Sequence, residues 1–168
     1  RDKVILSFAC FVINNCNLVL EYADQAVELD ASYSQQEADL FKAEAKALRA
    51  MMYFYLTRSF GDVPMVLEAS VSDDQDYHIA KTSQDSILDQ IILDLTAAER
   101  VMEMNNPAYN MEFPKGRMTV WAVKALLADA YLWKGKYDAA IQRCDAIINS
   151  EEFVLISVPR TALPGVEN

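Results

Sequence analysis

The sequence predicts an all-α protein with about five helices and two long irregular connections. Apolar residues recur every three or four positions along most of the chain, the spacing of an amphipathic helix. Only four glycines and five prolines occur in 168 residues, and most of them separate the periodic stretches. With 52% hydrophobic residues, the chain is long enough to bury one core. We therefore expect a single helical domain over residues 1–168.

Local signals place the helix ends. The second helix begins with a capping box, in which the Ser34 hydroxyl accepts a hydrogen bond from an amide of the first turn and Glu37 returns one. It ends before Gly61, which a proline follows three residues later. Thr82 or Ser83 caps the third helix. The five periodic stretches lie at 4–28, 35–59, 84–104, 119–134 and 137–149.

Two polar connections interrupt the helices. Residues 65–82 have no helical period and carry a cluster of acidic residues, and residues 105–117 contain two prolines and a glycine. Both connections are expected at the surface. The segment 153–156 alternates too briefly to be assigned as a strand.

The charge of the chain argues against nucleic acid as a partner, and its apolar pattern argues against a membrane span. Fifteen basic against 25 acidic residues give a net charge of −10, which repels the phosphate backbone of nucleic acid. The apolar stretch 4–13 is much shorter than the roughly 20 residues of a spanning helix, so we expect no membrane span. Three cysteines, an odd number, leave the redox compartment open.

An internal repeat predicts how the helices pack. Residues 46–53 and 124–131 share Lys, Ala, Leu, Ala and Tyr at matching positions, 78 residues apart. That distance is about twice a helical-hairpin repeat of 34 to 47 residues. The second copy continues with tetratricopeptide spacing through Leu127, Ala128, Tyr131, Gly135, Tyr137 and Ala140. We predict stacked tetratricopeptide-like hairpins, with an unrelated antiparallel helix pair as the alternative.

Two longer blocks carry a family resemblance. The first spans 43–64, with Arg49 near its start and Phe-Gly-Asp-Val-Pro at its end, and the second spans 115–137 and begins Lys-Gly-Arg. Asp94 between them and the asparagines Asn14, Asn15 and Asn17 before them fit the same pattern. In order and spacing, residues 10–156 resemble the SusD/RagB family of outer-membrane nutrient-binding lipoproteins.

This resemblance implies a function that the residues alone do not. It implies binding of an oligosaccharide or polysaccharide at the cell surface, a lipid anchor in the outer membrane, and association with a TonB-dependent transporter. It implies neither catalysis nor a cofactor. Because the chain is short for the family and lacks the lipid-bearing cysteine, we expect an excerpt of a larger protein, with most of the ligand site outside it.

Candidate ligand residues lie in the two connections. A sugar ring needs an exposed aromatic plane flanked by polar groups. Tyr77 beside His78, and Tyr109 near Asn106 and Asn110, have this chemistry, although an ordinary surface loop is the simpler explanation for them. The aromatic residues at helical spacing are expected to pack in the core or between the repeats: Tyr53, Phe54, Tyr55, Tyr131, Trp133 and Tyr137.

Other kinds of site are not indicated. His78 with Asp73, Asp74 and Asp76 lacks the turn glycine and distal acid of a calcium loop, so no metal site is predicted. Neither a nucleophile elbow nor a phosphate-binding glycine loop occurs, and no catalytic residue is assigned. We expect Arg49 to form a structural ion pair with a nearby acid, Glu44 or Asp62.

A second function is kept open. A stand-alone tetratricopeptide adaptor would bind an extended peptide in its concave groove. Such adaptors usually expose Lys, Arg or Asn along their first helices, whereas the equivalent faces here carry Ala, Leu and Tyr.

Overall fold

A computed structural model describes residues 2–72, 78–105 and 116–153. The described residues form five α-helices: α1 (Asp2–Leu29), α2 (Gln35–Phe60), α3 (Gln84–Met104), α4 (Val120–Trp133) and α5 (Tyr137–Ile148). The predicted all-α class is confirmed, and each helix end lies within two residues of its predicted position. The segment 154–156 lies outside the described residues.

The helix ends show the predicted capping. The Ser34 hydroxyl accepts from the Glu37 amide, and the Glu37 carboxylate accepts from the Ser34 amide at 2.9 Å. Gly61 ends α2 with φ of 72°, a left-handed conformation that glycine adopts without strain, and its amide donates to a carbonyl of the last turn. Of the two candidate caps of α3, Ser83 is the one used.

The helices stack in chain order. Each packs chiefly against its neighbours in sequence, as expected for successive hairpins. One core cluster runs through α1 to α4 and includes Ile13, Leu56, Ile91, Leu95 and Leu127. The helix α5 adds Ala140, which is also buried.

The first helix is more apolar than the stretch 4–13 alone predicts. By length and composition Ile5–Leu29, with mean hydropathy 1.4, is able to cross a membrane. Core helices meet the same criterion, and here Ala9 and Ile13 belong to the core cluster. We therefore interpret α1 as a helix of the scaffold.

The expectation for the helical aromatics is wrong at two positions. Tyr53 and Phe54 are buried, and Trp133, although 47% exposed, packs between helices on the Phe54 ring, but Tyr55 is 50% and Tyr137 64% exposed. Successive helical residues differ by about 100° in direction, so Tyr53, Phe54 and Tyr55 cannot all face one core.

Replacing Ala128 with leucine should lower the free energy of unfolding by about 1–3 kcal/mol, because added carbons overpack a filled interface. Ala128 is 5% exposed on α4. Ala125, exposed on the same helix, is the matched control. Thermal denaturation that gives equal midpoints for Ala128→Leu and Ala125→Leu would show that the helices do not pack through this face.

Candidate functional site

The connection between α2 and α3 is closed at its base. The strands β1 (Val63–Pro64) and β2 (Lys81–Thr82) form a two-residue antiparallel pair. Beside it, the Asp62 carboxylate accepts a hydrogen bond from the Gln84 amide at 2.8 Å. Residues 65–80 therefore form a loop whose two ends meet, a form that is often functional.

Two asparagines of α1 hold the first half of this loop. The buried Asn17 amide donates to the Val66 carbonyl at 3.2 Å and to the Glu68 carbonyl at 2.9 Å. Asn14 exchanges two hydrogen bonds with the backbone of Ser70, at 3.2 and 2.7 Å. Because these bonds satisfy backbone groups that no strand or helix pairs, the irregular segment is fixed to the helical scaffold.

Arg49 lies at the centre of the anchoring network. Its Nε and Nη2 donate to the two oxygens of Asp94, each at 2.9 Å, in the bidentate geometry that strengthens such pairs. Its Nη1 donates to Asn17 Oδ1 at 2.8 Å and to the Leu67 carbonyl at 3.4 Å. Both charged side chains are buried, and Gln90 adds a hydrogen bond to Asp94 at 3.1 Å. One guanidinium thus joins α1, α2, α3 and the loop.

The partner predicted for Arg49 is therefore wrong, although the structural role is right. Glu44 lies five residues before Arg49, which places it about 140° away around the helix. Glu44 instead binds Arg117 and accepts from the Met118 amide at 3.2 Å. Asp62 caps the α3 end of the loop.

The Glu44 pair fixes the end of the second connection. The Arg117 guanidinium forms two-oxygen contacts with Glu44 and lies 5.3 Å from the centre of the Phe41 ring. Residues 116–119 are thereby held against α2, and the second connection rejoins the scaffold at a defined point.

Tyr53 completes the anchoring of the loop. Its hydroxyl donates to the Val66 carbonyl at 2.8 Å and accepts from the Val66 amide at 2.7 Å. Burial raises the pKa of the Tyr53 phenol to about 12, because the phenolate would be poorly solvated.

This raised pKa predicts a loss of stability at high pH. The unfolded phenol ionises near pH 10 and the folded one near 12, so stability present below pH 10 is lost as pH rises through this window, by about 2–3 kcal/mol. Denaturant unfolding of the wild type and Tyr53→Phe at pH 7 to 12 measures it. At pH 7 the free energy of unfolding of the variant should be about 1 kcal/mol lower than that of the wild type. Between pH 10 and 12 the variant should lose less of its stability. Parallel pH profiles for the two proteins would contradict the assignment.

The structure places one of the three predicted ligand residues. His78 is exposed and lies three residues before β2. Tyr77 and Tyr109 lie outside the described residues, as do Asp73, Asp74 and Asp76. Within the described ranges, no group of three or more His, Cys, Asp or Glu side chains could hold a metal ion.

The arrangement is that of a rigid base with a presented loop. Side chains of α1 and α2 fix residues 66–70, and Asp94 of α3 holds Arg49 in place. A loop held in this way can offer aromatic and polar groups to a ligand at small cost in conformational entropy. The fold and this network together define a helical-repeat scaffold that fixes an irregular connection.

Comparison with known proteins supplies the family. Residues 9–132 match the SusD-like family model described as starch-binding and associating with the outer membrane. The chain belongs to this family, as its sequence blocks predicted. The SusD-like protein P25 of Formosa agariphila is 27% identical over 145 residues, which cover 86% of this chain and 26% of that protein.

Solved structures of relatives share the fold. A SusD superfamily protein of Bacteroides thetaiotaomicron has a TM-score of 0.74 at 27% identity, over 84% of this chain and 32% of that one. A laminarin-binding SusD-like protein has a TM-score of 0.67 at 28% identity, over 80% of this chain and 27% of that one. The chain spans about a quarter of the length of the curated relatives it matches.

Proposed function

We propose that the protein carrying this chain binds glycans at the cell surface for nutrient uptake, without catalysis. The observation that carries the proposal is the family match over residues 9–132. The likeness to a laminarin-binding relative at 28% identity supports the same ligand class. We further propose a lipid anchor in the outer membrane and a TonB-dependent transporter as the partner that receives the glycan.

The anchored loop is the part of this chain that we assign to ligand contact. Tyr77 would stack on the apolar face of a sugar ring, while His78 would bond to its hydroxyl groups. Tyr109, in the second connection, would add a further aromatic plane. The Arg49 network would keep the loop in its binding conformation.

Family membership favours this proposal over a stand-alone tetratricopeptide adaptor. Three of the side chains that could hold a peptide in such an adaptor are here used internally. Arg49 and Asn17 are buried in the network that fixes the loop, and Lys124 is buried against Glu99 at 3.1 Å.

Calorimetric titration with laminarin, starch, xylan and arabinan tests the proposal on the full gene product. We expect at least one polymer to bind, and Tyr77→Ala and Tyr109→Ala each to weaken binding about tenfold, since a stacked ring contributes roughly 1 kcal/mol or more. Tyr137→Ala, a surface tyrosine on α5, is the matched control.

Two outcomes would contradict parts of this account. If the folded protein binds none of the four polymers, the proposed ligand class is wrong. Wild-type affinity in both tyrosine variants would remove these residues from the site.

A further inference from the structure

A second group of exposed aromatic side chains lies between α2 and α4. An open cleft of about 400 Å³, within the size range of small-ligand sites, is lined by Met51, Phe54, Tyr55, Arg58 and Ser59 of α2 and by Leu126 and Asp129 of α4. Tyr55 is half-exposed there, and Trp133 packs on the lining residue Phe54, with ring centres 6.2 Å apart in an edge-to-face arrangement.

A charged pair crosses this cleft in a fixed geometry. Arg58 Nη1 donates to Asp129 Oδ2 at 2.9 Å. The Arg58 guanidinium also lies 4.9 Å from the centre of the Phe54 ring and 5.6 Å from that of Trp133. Such cation–π contacts restrict the side chain although it is 45% exposed. Donor and acceptor groups are therefore held in place and remain open to solvent.

The Arg58–Asp129 pair determines which kind of ligand is compatible with this cleft. An apolar helix laid over Tyr55 and Trp133 would also cover Arg58 and Asp129, and desolvating both charges costs several kcal/mol. A sugar ring covers the aromatic surface with its C–H face, while its hydroxyls replace water on the guanidinium and the carboxylate. The cleft thus suits a saccharide better than an apolar partner.

We propose that this cleft is a second saccharide-binding site, in which one ring lies against Tyr55 beside Trp133 and its hydroxyls bond to Arg58 and Asp129. The inference rests on the proposed function and adds a contact on the helices α2 and α4. The cleft is shallow, and the site is a weak one on its own.

A second weak site should raise the affinity of the protein mainly for long ligands. A polysaccharide that reaches both the loop and the cleft gains avidity, because its second contact is intramolecular. A trisaccharide can occupy only one site at a time. Loss of the cleft should therefore weaken binding of the polymer and spare the trisaccharide.

The test uses the full gene product and two ligands. One is the polymer of the panel above that the protein binds, and the other is the trisaccharide of that polymer. Tyr55→Ala should weaken binding of the polymer about tenfold or more and change binding of the trisaccharide less than twofold. Tyr137→Ala, the same change at an exposed residue that does not line this cleft, should alter neither affinity. Asp129→Asn should lower the affinity for the polymer in the same direction as Tyr55→Ala.

Hydroxyl-radical footprinting of the same protein supplies an independent readout. Tyr55 and Trp133 should be reactive in the free protein and protected by the polymer. Low reactivity of both in the free protein would show that other parts of the molecule cover the cleft, and would overturn the inference. Wild-type polymer affinity in Tyr55→Ala would overturn it and leave the proposed function standing. Failure of the wild type to bind any glycan would overturn both.

Discussion

Replacing Asp94 with alanine is expected to lower the free energy of unfolding by about 3–5 kcal/mol, the largest effect of any single change considered. The substitution leaves the Arg49 guanidinium buried without its carboxylate partner. The two side chains are 7% and 5% exposed, so water cannot replace the lost bonds. Urea denaturation followed by circular dichroism measures the change.

The paired variant Arg49→Met with Asp94→Leu separates the ion pair from its surroundings. Removing both charges avoids the unpaired cation, so the double variant should be more stable than the sum of the single losses predicts. Asp129→Ala, which breaks a half-exposed ion pair, should cost less than about 1 kcal/mol. If Asp94→Ala costs no more than Asp129→Ala, the buried network is not a main source of stability.

The second-largest loss of stability is expected when Asn17 is replaced. Asn17→Leu should cost about 3 kcal/mol, because it removes one of two hydrogen bonds to the Val66 carbonyl and leaves the Glu68 carbonyl and one Arg49 N–H without their partner. The loss should be concentrated in the loop. Hydrogen exchange should accelerate at the amides of residues 66–70 more than in the core of α3.

Asn15 offers a matched control for this experiment. It lies on the exposed face of the same helix, and its side chain donates to the Phe11 carbonyl of α1 itself. Asn15→Leu should therefore leave both the stability and the exchange of residues 66–70 nearly unchanged. Equal exchange in the Asn15 and Asn17 variants would mean that the loop does not depend on its side-chain anchors.

The helix ends are predictable because their signals lie within one turn of the boundary. Ser34 with Glu37 specifies a start, and Gly61 specifies a stop, without reference to any distant residue. The choice between Thr82 and Ser83 as the cap of α3 depends instead on a residue distant in sequence. Thr82 pairs with Val63 across the base of the loop, which leaves Ser83 to cap α3.

The centre of the anchoring network could not be assigned from sequence, since Arg49 and Asp94 are 45 residues apart. A signal was nevertheless present. Asp94 stands between Ile91 and Leu95 on the apolar stripe of α3, and an acid on a core-facing stripe needs a buried partner. The two acids predicted as partners of Arg49, Glu44 and Asp62, are closer to it along the chain than Asp94, but they bind other groups.

The exposed aromatics were missed for a related reason. Periodicity identifies residues that share a helix face, but it does not say whether another element covers that face. Phe54 and Tyr55 are adjacent in sequence, and only the packing of α3 and α4 on α2 makes one buried and the other exposed.

The central claim is that a loop fixed to a helical-repeat scaffold contacts a glycan. Hydrogen–deuterium exchange of the full gene product, with and without the oligosaccharide selected by titration, tests it most directly. The account predicts that the ligand slows exchange in residues 71–80, while the Val66 and Ser70 amides are already protected in the free protein by their hydrogen bonds to Tyr53 and Asn14. Ligand protection confined to other segments, with residues 71–80 unchanged, would contradict it.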